Sequence, residues 1–169
     1  MVEQDEKVLD DDFYEDEDAQ KDKYLTFELA AEDYAIEIRY VTEIIGIQKI
    51  TEVPDTPDFV MGVINLRGKI IPVIDVRRRF NFPTIEYGDR TCIIVVDIDG
   101  ISTGLIVDEV SEVLDIPEGD VDAPPKTNKG EHSRFIQGMG KVGEEVKIIL
   151  NIGKLLNDTE KEDIKTLQS

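Results

Sequence analysis

The chain has little of what chemistry is usually built from. Its 169 residues include one cysteine, one histidine and no tryptophan, and 38 acids outnumber 19 lysines and arginines for a formal charge of −19. With Cys92 alone, no disulfide forms within the chain. A catalytic thiol would need the one histidine, His132, which stands in the polar run 129–134. Cys92 instead precedes Ile93, Ile94, Val95 and Val96, the setting of a small buried apolar residue. The shortage of cations argues against nucleic acid, whose phosphates are neutralised by Lys and Arg patches, and against anionic membrane surfaces. No apolar run reaches the roughly 18 residues of a membrane-spanning helix. The N-terminus also lacks the basic start and hydrophobic centre of a signal peptide. These absences predict a soluble, cytoplasmic protein with no direct membrane insertion and no nucleic-acid partner.

What is present is distributed unevenly. Residues 1–22 hold eleven acids against Lys7 and Lys21 and few groups to bury, which predicts a disordered acidic tail. From Lys23 onward the pattern is that of strands. Leu25, Phe27 and Leu29 alternate with Thr26 and Glu28, and Tyr34, Ile36 and Ile38 resume the alternation after a turn, predicting a first hairpin. Val41, Ile44 and Ile45 fall at helical spacing and predict a helical turn, with further alternation over 46–52. Thr56-Pro57 reads as an N-cap with proline at the first helical position, the start of a short helix.

The most apolar stretch, 59–80, carries Asn65-Leu66-Arg67-Gly68 at its middle, a polar turn between two β-branched runs. It reads as a displayed hairpin tip. Pro72 lacks a ladder donor, so its strand is expected at an edge there. Asp75 is placed to cap a short helix over 76–80, with Arg77, Arg78 and Arg79 against its carbonyl end. After a polar break at 81–90, strands are predicted over 91–98 and 101–107. A helical turn at Val110, Val113 and Leu114, a loop over 118–130, a turn over 140–145 and a strand over 146–152 follow. Residues 158–169 read as a polar C-terminal tail.

Two apparent motifs dissolve in this context. Gly138, Gly140 and Gly143 match a dinucleotide fingerprint, which needs a strand before and a helix after it; here a strand follows, and a hairpin turn is expected. Asp97-x-Asp99-Gly100 resembles the start of a calcium loop and is read as a turn. No catalytic, metal or cofactor residue is assigned, and the chain is not expected to be an enzyme.

The two halves of the chain resemble one another. A shift of 69 lays residues 35–44 on 104–113, and a shift of 76 lays Phe59-Val60-x-Gly62 on Phe135-Ile136-x-Gly138 and 73–76 on 149–152. The seven extra residues fall in the loop around Pro124-Pro125, where insertion is cheap. The reading is two copies of one small β unit, at about 23–85 and 91–156, each with about five short strands closed into a barrel. Val41 and Glu43 in one copy correspond to Val110 and Glu112 in the other, facing across a groove.

At 62–76, GVINLRGKIIPVIDV, the chain resembles the CheW family of chemotaxis coupling proteins, and the resemblance extends over about 23–157 through 34–44, 104–110 and 148–156. It implies an all-β fold of two SH3-like five-stranded barrel subdomains with a few short helices. It also implies a non-catalytic adaptor between methyl-accepting chemoreceptors and the histidine kinase CheA. Arg67, Val41 and Glu43 match the family's receptor contact, with Val110 as the second copy's equivalent. Ile45 and Ile47 are candidates for the kinase's regulatory domain, which is itself CheW-like. The domain also occurs within the kinase and in the CheV adaptor beside a receiver domain; a standalone coupling protein is expected here. The rival expectation is a small β-barrel module that binds RNA or a small ligand, to be recognised by steeply salt-dependent RNA retention.

Overall fold

The computed structural model describes residues 20–124 and 134–168. Most of the expected acidic tail, His132 and residues 125–130 of the expected loop lie outside these residues. The fold is mainly β. The strands are β1 (Lys23–Leu29), β2 (Glu32–Glu37), β3 (Val41–Gly46), β4 (Val60–Leu66), β5 (Lys69–Asp75), β6 (Cys92–Ile98), β7 (Ile101–Val107), β8 (Glu109–Asp115), β9 (Val121–Asp122), β10 (Ile136–Val142) and β11 (Glu145–Leu150). The helices are α1 (Val76–Arg79) and α2 (Asp158–Gln168).

The repeat is present strand for strand. The shift of 69 carries β1, β2 and β3 onto β6, β7 and β8, and the shift of 76 carries β4, β5 and α1 onto β10, β11 and the 3-10 turn Ile152–Lys154. The two barrels, however, are not the two halves of the chain. Barrel I has the strand order β3-β6-β7-β5-β4 and barrel II the order β8-β1-β2-β11-β10-β9. Each order becomes the other when the copies are exchanged, so each half of the chain lends its first hairpin to the other half's barrel. The parallel contacts obey the same symmetry, with Val73 opposite Gly104 and Ile149 opposite Ala35. The expected boundaries at 23–85 and 91–156 therefore mark sequence copies, not barrels.

Burial explains why β6 is almost wholly apolar. Its Ile93 and Val95 face the interior of barrel I with Ile64, Ile71, Val73 and Ile106. Its Ile94, Val96 and Ile98 face a larger shared core between the barrels, with Leu25, Phe27, Leu29, Leu105 and Val107. A strand buried on both faces has no polar register. Barrel II has a smaller interior around Tyr24, Ala35, Ile116 and Ile149. The expected groove between copies is thus filled by the main core, and only its rim is open.

Four local expectations are corrected. The helical spacings at Val41–Ile45 and Val110–Leu114 belong to strands β3 and β8, each with a bulge, between Val41 and Glu43 in β3 and opposite Thr26 in β8. One inserted residue makes i and i+3 share a face and imitates a helix. Thr56 and Pro57 start no helix: the Thr56 hydroxyl donates to Val53 O and the Val60 amide to Pro57 O, turning the chain into β4. Residues 140–142 extend β10 rather than turn, its glycines admitting close neighbours: a Cβ on Gly138 would lie 2.8 Å from Val121 and one on Gly140 3.0 Å from Ile116. The polar C-terminal segment is helical, with Ile164 in the shared core and Lys161 bonded to Asp99.

Most other expectations hold. Asp75 caps α1, accepting from the Arg77 and Arg78 amides. The edge position expected for Pro72's strand does not hold: β5 lies between β7 and β4, and Pro72 is tolerated because the pairing of β5 with β7 begins only at Val73. Asp99-Gly100 turns the β6–β7 hairpin, and Gly143 turns β10–β11.

Candidate functional site

The β4–β5 tip is a two-residue turn in which Arg67 and Gly68 both have positive φ, 53° and 84°. This is a type I′ turn, whose first central position favours asparagine or glycine. The second copy follows that preference with Gly143, φ 61°, at the equivalent place. A β-carbon held in the left-handed region costs about 1 kcal/mol or more. Arginine bears that cost here, as Ala30, Ala31 and Asp99 do in other turns of the chain.

The Arg67 side chain reaches β3. Arg67 Nη1 and Nη2 donate to the two carboxylate oxygens of Glu43 at 2.7 and 2.9 Å, a bidentate pair. Hydrogen bonding to Arg67 holds the Glu43 carboxyl below its ordinary range, and the same bonds raise Arg67. The pair is therefore charged throughout the physiological range. Asn65 closes the tip by accepting from the Gly68 amide at 2.8 Å. Two predicted residues, Glu43 and Arg67, are thus brought into contact, but as each other's partners.

Pairing across the sheets assigns the others. Glu43 and Ile45 stand opposite Val95 and Ile93, on the side of barrel I's own interior; Ile45 is half-buried against that core. Val41 and Ile44 stand opposite Val96 and Ile94, on the shared-core side. In barrel II, Val110 and Val113 stand opposite Phe27 and Leu25, on the same side. Val41 and Val110 are half-buried against the shared core, whereas Ile44 and Val113 are 44% and 51% exposed. Ile47, beyond the end of β3, is exposed.

Ile44 and Val113 were missed from the sequence, although the repeat pairs them. Ile70 on β5 and Val146 on β11 are a second exposed, repeat-related pair. Among the described residues, four of the six large exposed apolar side chains thus come as two symmetric couples, a regularity that scattered surface hydrophobics do not show.

The arginine run is structural. Arg77 binds Asp108, and Arg79 donates to Leu155 O and Glu160 while lying over Phe59 and Phe135 at 4.5 and 4.9 Å. Burial and a bond to Asp75 raise the Tyr87 phenol. An open cleft of about 930 Å³ beside Tyr24 is lined by Asp22, Glu37, Glu118 and Asp122 against Lys21 and Arg39, a poor match for phosphate. Among the described residues no group of three metal-ligating side chains is assembled and no helix is long and apolar enough to cross a membrane.

The chain is similar to known proteins in sequence and in fold. The sequence model of the CheW-like domain matches residues 23–160. The chain is 36% identical over 138 residues to the chemotaxis protein CheW of Klebsiella aerogenes, covering 82% of this chain and 83% of that one. It is 39% identical over 105 residues to the CheW of Bacillus subtilis, covering 62% and 67%. The crystal structure of the scaffolding protein TtCheW from Thermoanaerobacter tengcongensis superposes with a TM-score of 0.77 at 39% identity, over 83% of this chain and 96% of that one.

Proposed function

The chain belongs to the CheW-like domain family of chemotaxis scaffold proteins, and from that premise we propose that it docks the tips of methyl-accepting chemoreceptors and the kinase CheA together in membrane-associated arrays. The observation that carries the receptor site is the repeat-related rim: Val41 and Ile44 on β3, Val110 and Val113 on β8, half-buried and exposed in matching order on both edges of the shared core. An apolar stripe of a receptor's helical hairpin packs along this rim, its side chains meeting the exposed Ile44 and Val113. Ile45 and Ile47 at the barrel I end are the weaker candidates for the kinase regulatory domain.

The exposed residues make a clean test. Ile44→Asp and Val113→Asp are each expected to weaken binding of a receptor cytoplasmic fragment on the order of tenfold, while surface positions of this kind change stability by about 0.5 kcal/mol or less. Unaltered pull-down by both variants would remove the rim from the receptor contact.

Arg67 acts by another route. Both of its terminal nitrogens are occupied by Glu43, so its first task is to hold the β4–β5 tip against β3. Arg67→Ala and Glu43→Ala are each expected to lower receptor affinity by roughly tenfold, and the double substitution by no more than either alone, since both remove one coupling. Additive losses, measured by isothermal titration, would show instead that each residue touches the receptor independently.

A further inference from the structure

The rim is assembled from two barrels, so its use depends on what fixes one barrel against the other. The chain crosses between barrels at two repeat-equivalent places. One is the 3-10 turn Ile38–Tyr40 between β2 and β3, and the other is Asp108 between β7 and β8. The shift of 69 puts Arg39 where Asp108 is, and the two differ completely. Arg39 is 59% exposed, 3.4 Å from Glu37 at the end of β2 and stacked on Tyr40.

Asp108 is tied in three directions. Its carboxylate accepts from Arg77 Nε and Nη2, both at 2.7 Å, and from the Ala30 amide at 2.9 Å, while its own amide donates to Glu28 O. Arg77 leaves barrel I on α1 and donates a further bond to Pro83 O at 2.7 Å; Ala30 turns the β1–β2 hairpin of barrel II. The pair is nearly buried, at 13% and 17% exposure. Burial opposes the Asp108 charge, but the Arg77 and Ala30 bonds outweigh it and hold the carboxyl below its ordinary range. A buried bidentate pair adds little net stability over an apolar contact, and its better-attested use is to specify one geometry.

We infer that Asp108 and Arg77 are positioning residues that fix the separation of the two rim edges, setting Val110 and Val113 on β8 against Val41 and Ile44 on β3 for receptor docking. This rests on the reading of the rim as the receptor site. Asp108 stands two residues before Val110 on the same extended chain, so any rotation of the crossover is passed directly to β8. The clamp is present at one crossover only, where it adds a directional constraint to the shared core that already joins the barrels.

The test uses the full chain with Cys92→Ser and spin labels on Thr42→Cys and Ser111→Cys, repeat-equivalent exposed positions on β3 and β8. Asp108→Asn and Arg77→Met are expected to broaden the label–label distance distribution and to weaken receptor-fragment binding on the order of tenfold. Binding to the CheA regulatory domain should stay within about twofold, a split that general unfolding does not produce. Arg77→Lys, which keeps charge but loses the fork, should fall between. An unchanged distance distribution and unchanged receptor affinity in these variants overturn the inference. A parent protein that fails to bind the receptor fragment overturns the rim reading, and the inference as a docking device with it, while the distance arm still decides whether the clamp sets the barrels.

Discussion

Gly62→Ala is expected to destabilise the protein by about 3 kcal/mol or more. Gly62 has φ 143°, and a β-carbon there would stand 2.0 Å from the carbonyl oxygen of Thr51 and 2.7 Å from its carbon. The obstacle is backbone, and it cannot retreat without opening the pairing of Thr51 with Val63, whose two hydrogen bonds of 2.8 and 2.9 Å close barrel I. Left-handed strain and overpacking each contribute roughly 1–3 kcal/mol, against a typical domain stability of about 5–15 kcal/mol. The internal control is Gly138, the same residue in the second copy. Its β-carbon would meet the end of the Val121 side chain at 2.8 Å and Asp122 O at 3.1 Å, so Gly138→Ala should cost roughly 1–2 kcal/mol. Urea denaturation followed by circular dichroism measures both. Equal midpoints for the two variants would mean that the Thr51 contact does not constrain the fold.

The same glycine shows how far the sequence could be read. It stands thirteen residues before Asp75, as Gly138 stands thirteen before Asn151, a spacing that marks the repeat, while the strands are legible from alternation alone. Nothing in those spacings told which copy's hairpin enters which barrel. Pairing β7 with β5 and pairing β2 with β5 satisfy the same alternation, because copies that are alike present alike faces. The bulges in β3 and β8 were invisible for a related reason: Val41, Ile44 and Ile45 carry helical spacing whether the chain coils or inserts one residue into a strand. Arg67 was legible as a displayed tip because polar residues interrupt an apolar run. Its pairing with Glu43, twenty-four residues earlier, depends on barrel closure and leaves no local mark. Ile44 and Val113 were hidden by composition, since an exposed isoleucine on an edge strand looks like a buried one until its neighbours are placed.

Cutting the chain between its two copies should abolish folding of each piece alone and restore it when they are combined. Fragments 1–85 and 86–169, separated in the polar segment between α1 and β6, each retain hairpins but lose their completed sheets. The first keeps β1–β2 without β8 and β11, and β3, β4 and β5 without β6 and β7. A hairpin alone is marginal in water. The shared core is divided as well: Leu25, Phe27, Leu29 and Ile36 stay with one fragment and Ile94, Val96, Leu105 and Val107 with the other. Separately expressed fragments should therefore give collapsed amide spectra and no cooperative transition. An equimolar mixture should recover strand content and elute at the position of the intact chain. The repeat permits one escape, a homodimer of the first fragment in which β1 and β2 of one copy take the places of β6 and β7 in the other. Size-exclusion chromatography separates that outcome from the decisive contrary one. A folded monomer of residues 1–85 would mean that each copy builds its own barrel and that the exchanged strand orders are wrong.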